Sequence, residues 1–211
     1  LIIAFSPRFL DSIGCENGPD GRESAMAREA LLVIDMLNDF VLEGAPLEVP
    51  EARRIVPFVK NEIEMARAAG VPVVYLTDSH APDDAEFGTF GWPPHAVKGT
   101  PGAMVVPELA PREGDHVVEK TTYSGFYGTG LEALLVRLGV TALRLVGCVT
   151  HICVMFTASD AVLRGYEVSV PGEGVAGLDA RDHEAALRIM RNVLGVKIVQ
   201  GAPSGAPRGS M

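Results

Sequence analysis

Ala142-Leu143-Arg144-Leu145-Val146-Gly147-Cys148-Val149-Thr150-His151-Ile152-Cys153-Val154 opens as a short apolar, β-branched run that ends at Gly147. From Cys153 to Leu163 the apolar residues take helical spacing, Arg164-Gly165 stops the helix, and Tyr166 to Val170 returns to strand character. Glycine just past a helical run is the expected C-terminal cap, because it takes a left-handed conformation without a Cβ penalty. A strand, a helix and a second strand at this spacing read as a parallel crossover.

The same alternation extends in both directions. Strand-like runs lie at Ala30 to Ile34, Val71 to Thr77, His116 to Val118 and Val196 to Val199. Helical runs go from Pro50 or Glu51 to Ala69, from Leu131 to Leu138 and from Asp182 to Leu194, and each meets a glycine, Gly70, Gly139 or Gly195. The pattern predicts a single α/β domain with a six-stranded parallel sheet and helices on both faces.

Composition agrees with one ample core. The chain has 211 residues and is 47% hydrophobic, with a mean hydropathy of +0.21, which excludes wholesale disorder. A formal charge of −9 argues against a nucleic-acid or anionic-membrane partner and favours a small neutral or cationic ligand. Three cysteines, Cys15, Cys148 and Cys153, make no disulfide framework, so a reducing cytoplasmic setting is expected. No run has the length of a membrane span, and Leu1-Ile2-Ile3-Ala4-Phe5 lacks the form of a signal peptide. Residues 1–25 read as an extension or cloning remnant before Met26, residues 26–200 as the domain, and residues 201–211 as a flexible Gly-, Pro- and Ser-rich tail.

In open α/β sheets ligands bind beyond the carboxyl ends of the strands. The polar residues ending or following apolar runs here are Asp35, Asp78, Lys120 and Cys153. They comprise a nucleophile, a base and a cation. Cys153 at a helix start would have its thiolate favoured by the backbone N–H groups. The N–H groups of Val149 or Thr150 and of Cys153 would form an oxyanion hole. Asp35 would take the thiol proton, with Lys120 restraining it, while Cys148 inside the strand would be a small buried hydrophobe.

A second group follows the run Val71 to Thr77. Asp78-Ser79-His80 through Trp92-Pro93-Pro94-His95 holds two of the five histidines, together with Asp83, Asp84 and Glu86. Imidazole and carboxylate suit a divalent ion such as zinc, iron or manganese, and no thiolate lies nearby in sequence to close a structural zinc site. The plain alternative is a solvated acidic loop carrying two surface histidines.

With these residues in place, the chain resembles the isochorismatase-like cysteine hydrolases and, within them, the nicotinamidases. The resemblance runs from Met26 to Val199 and rests on Leu32-Val33-Ile34-Asp35-Met36-Leu37-Asn38-Asp39-Phe40, on Glu119-Lys120-Thr121-Thr122-Tyr123-Ser124-Gly125-Phe126 and on Gly147 to Val154. It implies a catalytic triad of Asp35, Lys120 and Cys153 and an oligomeric protein. The subfamily resemblance rests on Asp78-Ser79-His80, Trp92-Pro93-Pro94-His95 and Gly99-Thr100. It implies that Asp78, His80 and His95 bind a metal, zinc first, with Glu86 as a fourth ligand. It also implies that Phe40, Trp92 and Tyr127 line the substrate pocket. Two positions depart from the nicotinamidase pattern: His151 stands where aspartate is common, and Ala96 where a cysteine often follows the metal histidine. For His116 and His183 the sequence suggests surface roles.

The expected activity is deamidation of nicotinamide to nicotinic acid through a thioester on Cys153, with the metal holding the ring nitrogen and a place in pyridine salvage for NAD synthesis. The alternatives are a carbamoyl or ureido amidase of the same family, a hydrolase whose metal polarises water while Cys153 is structural, and a noncatalytic oligomeric binding protein on this fold.

Overall fold

A computed structural model of the chain describes residues 28–199. The proposed extension, the start at Met26, Cys15 and the tail lie outside the described residues. The order is β1 (Glu29–Ile34), α1 (Asn38–Val41), α2 (Ala52–Ala68), β2 (Val73–Asp78), α3 (Ala85–Phe90), β3 (His116–Lys120), α4 (Leu131–Arg137), β4 (Ala142–Cys148), α5 (Met155–Leu163), β5 (Glu167–Pro171), β6 (Val175–Ala176), α6 (Ala180–Asn192) and β7 (Lys197–Val199). The strands pair in the order β3-β2-β1-β4-β5-β7, every pairing parallel. The sheet has seven strands and not six, since β6 pairs with the end of β4. Two residues carry no readable period, which is why the sequence is silent on β6.

Alternation along β1 shows why its run is apolar throughout. Ala30, Leu32 and Ile34 face a core built with Leu134 and Leu135 of α4, Ala158 and Ala161 of α5 and Met190 of α6. Leu31 and Val33 face the opposite core, with Ile55, Val59 and Ile63 of α2. Side chains alternate across a strand, so a strand covered on both faces needs apolar residues at every position.

From β1 the chain builds outward through β2 to β3, then returns to lay β4 on the other side of β1. In open α/β sheets such a reversal, here beyond the carboxyl ends of β1 and β4, is where ligands bind. Gly147 brings these two ends together: its φ is 116°, and an added Cβ would lie 2.0 Å from the Ile34 carbonyl oxygen. Only glycine fits there. Among the described residues no helix is long and apolar enough to cross a membrane.

Candidate active site and metal centre

Four strand ends deliver the charged cluster. Asp35 follows β1, Asp78 closes β2, Lys120 closes β3, and Cys153 lies just past β4. Asp35 has φ 50°, a left-handed conformation that aspartate tolerates better than most residues and that recurs where structure serves a site. The Lys120 Nζ lies 2.8 Å from Asp35 Oδ2 and 2.5 Å from Asp78 Oδ1, and 3.6 Å from Cys153 Sγ. Asp35 Oδ1 accepts the Asp78 N–H at 2.9 Å, and the Cys148 thiol donates to the Asp35 carbonyl at 3.1 Å. All four side chains of the cluster are buried.

Burial sets the protonation states. It raises Asp35 to about 6, with the Asp78 charge adding to the rise and Lys120 opposing it. At neutral pH Asp35 is therefore largely a carboxylate, though a basic one. Burial alone would lower Lys120, but Asp35 and Asp78 outweigh it and hold the ammonium well above the usual lysine range. Burial works to raise Asp78, and Lys120 and His80 reverse that into a net fall.

Cys153 differs from expectation on two counts. It does not start an α-helix: it lies inside a π-helical turn, Thr150–Val154, that runs into α5. The Val154 N–H reaches the Val149 carbonyl at 3.2 Å, five residues back, and the Ile152 N–H reaches the same oxygen at 3.0 Å. Such single π turns concentrate at functional sites. Burial raises the Cys153 thiol well above the usual value, with Lys120 acting in the opposite direction. The peptide between Cys148 and Val149 is cis.

The candidate metal ligands meet on the far side of Asp78. His80 Nε2 and His95 Nε2 lie 3.8 and 3.9 Å from Asp78 Oδ2, and one donor atom from each of the three residues falls within 4.8 Å of the others. Both rings are fixed through the other nitrogen, His95 Nδ1 on the Pro93 carbonyl at 2.8 Å and His80 Nδ1 on Asp84 Oδ2 at 3.1 Å. That arrangement turns both Nε2 lone pairs inward, as outer hydrogen bonds commonly do for metal-binding histidines. His80 Nε2 is buried without a hydrogen-bond partner. Ligands held at about 2.0–2.1 Å in tetrahedral geometry lie about 3.4 Å apart, so the spacings fit a divalent ion after small closure. Glu86 is placed differently. Its Oε2 is 3.6 Å from His80 Nδ1, and it groups with His80 and Asp84, apart from the inward-facing trio.

The backbone explains how residues fifteen apart converge. The His80 N–H donates to the Ala96 carbonyl at 3.0 Å and the Lys98 N–H to the His80 carbonyl at 2.9 Å, a parallel bridge between the loop and its own return. Ala96 takes φ 44°, and its N–H donates to Asp39 Oδ2 at 2.8 Å. Asp39 thereby ties the turn after His95 to α1.

The three aromatic candidates lie in different settings. Phe40 is buried edge-on against His95, with ring centroids 5.4 Å apart. Trp92 is half-buried, and its indole N–H donates to the Tyr123 hydroxyl at 3.2 Å. Tyr127 is exposed and lines a cavity of about 780 Å³ with Glu86, Phe90, Tyr123, Phe156 and Asp160. Sequence reasoning gave no role to Asp39, Phe87 or Tyr123, and named Asp84 only as one acidic residue of the loop. Asp84 was readable in principle as the residue four after His80. Phe87 packs against both metal-site rings, at 5.1 and 5.3 Å, and carries no such signal.

This arrangement defines a class, and the chain belongs to the isochorismatase family, whose domain it matches over residues 29–200. Pyrazinamidase of Pyrococcus horikoshii, solved in complex with zinc, is 37% identical, with 82% of this chain and 99% of that one covered and a TM-score of 0.77. N-carbamoylsarcosine amidase from Thermoplasma acidophilum is 38% identical, with 84% and 99% covered and a TM-score of 0.75. A probable inactive nicotinamidase from Arabidopsis thaliana is 36% identical, covering 80% of this chain and 90% of its own. The chain is thus a member of a hydrolase family whose relatives bear the names of different amide substrates.

Proposed function

We propose that this chain is a metal-dependent cysteine amidohydrolase that converts nicotinamide to nicotinic acid and ammonia. The observation that carries the reading is the double use of Asp78, whose Oδ1 holds Lys120 of the thiol cluster while its Oδ2 faces His80 and His95. A binding centre and a reactive thiol then share one buried wall. That the pyrazinamidase neighbour was solved in complex with zinc supports the metal in this reading.

The mechanism follows from the protonation states. Asp35 accepts the Cys153 proton as sulfur attacks the carboxamide carbon, so the nucleophile is made as it is used. The backbone N–H groups of Val149 and Cys153 stabilise the developing oxyanion. Asp35 passes the proton to the departing nitrogen, the C–N bond breaks, and ammonia leaves a thioester. Asp35 then takes a proton from water, whose oxygen attacks the acyl carbon, and returns it to sulfur as the C–S bond breaks. Lys120 stays an ammonium throughout and fixes Asp35. A divalent ion held by Asp78, His80 and His95, zinc or alternatively iron or manganese, would supply a Lewis-acid contact for the pyridine nitrogen. Glu86 enters this reading as a neighbour of His80, and Trp92, Phe40 and Tyr127 as walls around the ring.

A carbamoyl or ureido substrate is the second reading, favoured by the equal likeness of the N-carbamoylsarcosine amidase. Ammonia release from nicotinamide, benzamide and N-carbamoylsarcosine, each with and without chelator, separates the two. Benzamide keeps the carboxamide and lacks the ring nitrogen, so chelator-sensitive turnover of nicotinamide far above benzamide is expected. Equal turnover of the two, or turnover of the carbamoyl compound alone, overturns the nicotinamide assignment.

A further inference from the structure

The π turn that carries Cys153 begins at Thr150, which is fully buried. Its hydroxyl lies 2.9 Å from Nδ1 of His183, on the first turn of α6. Two features hold that ring in place. The N-cap Asp179 accepts the N–H groups of Arg181 and Asp182, and the His183 N–H returns to the Asp179 carbonyl at 3.0 Å. Gly177 lets α6 come close, since a Cβ there would lie 2.9 Å from the His183 Cβ. The imidazole therefore reaches the start of the turn from a separately anchored element.

We propose that His183 is a positioning residue for the reaction: through Thr150 it fixes the turn whose N–H groups receive the oxyanion. The inference rests on the cysteine-hydrolase reading above. His183 lies outside the Asp35, Lys120 and Cys153 cluster and touches no reacting atom. Its effect is on the placement of the Val149 to Cys153 backbone. Such placement matters because oxyanion donors act only when aimed at the position the charged oxygen takes in the transition state. A small displacement of the turn weakens transition-state binding while leaving ground-state binding of the ring alone.

The test compares His183→Ala, His183→Asn, Thr150→Val and the Thr150→Val/His183→Ala double variant. His183 also lines an open cavity of about 480 Å³, so its truncation seals no void in the core. His183→Ala should lower kcat at least about tenfold with KM within about twofold. His183→Asn, which can place an amide where Nδ1 stood, should recover most of the rate. The double variant should be no slower than the worse single one, because both remove the same link. Hydrogen exchange gives a readout independent of substrate: the Ile152 and Val154 amides, which bond to the Val149 carbonyl, should lose protection in His183→Ala and keep it in His183→Asn. Unchanged protection in His183→Ala, an effect confined to KM, or additive losses in the double variant overturn the proposal. If wild-type protein turns over neither nicotinamide nor N-carbamoylsarcosine, the functional reading fails on its own, and amide exchange alone judges His183.

Discussion

Lys120 is the residue on which the buried charges depend, because it sits between two carboxylates with no exposed surface of its own side chain. Lys120→Met would leave Asp35 and Asp78 facing each other without a counter-charge. Breaking a buried pair in this way costs about 3–5 kcal/mol, so urea unfolding at pH 7 should show a loss of that order. Cys153→Ala removes no charge and should abolish turnover with a stability change nearer about 1 kcal/mol. Equal stability of the two variants would mean that the lysine is dispensable to the fold. His151, one of the two departures from the nicotinamidase pattern, gives a pH test. Burial lowers its pKa below the usual value near 6.5, against the opposing charges of Asp182 and Asp179. The folded chain thus binds fewer protons here than the unfolded chain, and the stability contribution is present above about 6.5 and lost as pH falls through the depressed folded value. Thermal unfolding from pH 8 to 5 should fall less steeply in His151→Asn than in wild type; parallel curves would remove His151 from the account.

At the scale of elements, α2 is fastened to the sheet by a charge pair as well as by its apolar face. Arg144 of β4 donates through Nε and Nη2 to Glu62 of α2 at 2.5 and 3.0 Å, with the Glu62 side chain 7% exposed. Glu62→Ala should cost about 3 kcal/mol by stranding the guanidinium, whereas Glu62→Met with Arg144→Met should lie within about 1 kcal/mol of wild type. A double variant as unstable as the single one would show that packing, not charge, sets the loss. The pair also marks the limit of sequence reading. Helix α2, β1 and β4 were legible because period and glycine stops are local properties, and the strand-end residues Asp35, Asp78, Lys120 and Cys153 could be picked out once the sheet was parallel. The π turn around Cys153 was not legible, since Thr150 to Val154 continues smoothly into helical spacing and only the Val154 to Val149 bond reveals the wider turn. Helix α3 is too short for its period to register, and with it went Phe87. The place of Glu86 depends on how the chain turns between Asp84 and Phe90, which spacing from His80 does not determine.

Across the whole molecule, the candidate metal site joins the end of β2 to the long loop that returns at His95, so an ion there would tie a non-local segment to the core. Any ligand that binds only the folded chain stabilises it by mass action, by about 2.7 kcal/mol at a hundred times its dissociation constant. For a domain of this size about 1 kcal/mol moves the melting temperature by roughly 2–4 °C, so zinc at that excess should raise it by about 5–10 °C over chelated protein. The shift should vanish in His80→Ala and in His95→Ala, whose Nε2 atoms face Asp78. It should survive in Glu86→Gln, because that carboxylate lies on the Nδ1 edge of His80, outside the inward-facing trio. Differential scanning calorimetry on the four proteins, each with zinc and with chelator, reads this without any substrate. A shift of equal size in His80→Ala would place the stabilising ion elsewhere on a chain of net charge −9, and loss of the shift in Glu86→Gln would restore Glu86 as a ligand reached by closure of the loop.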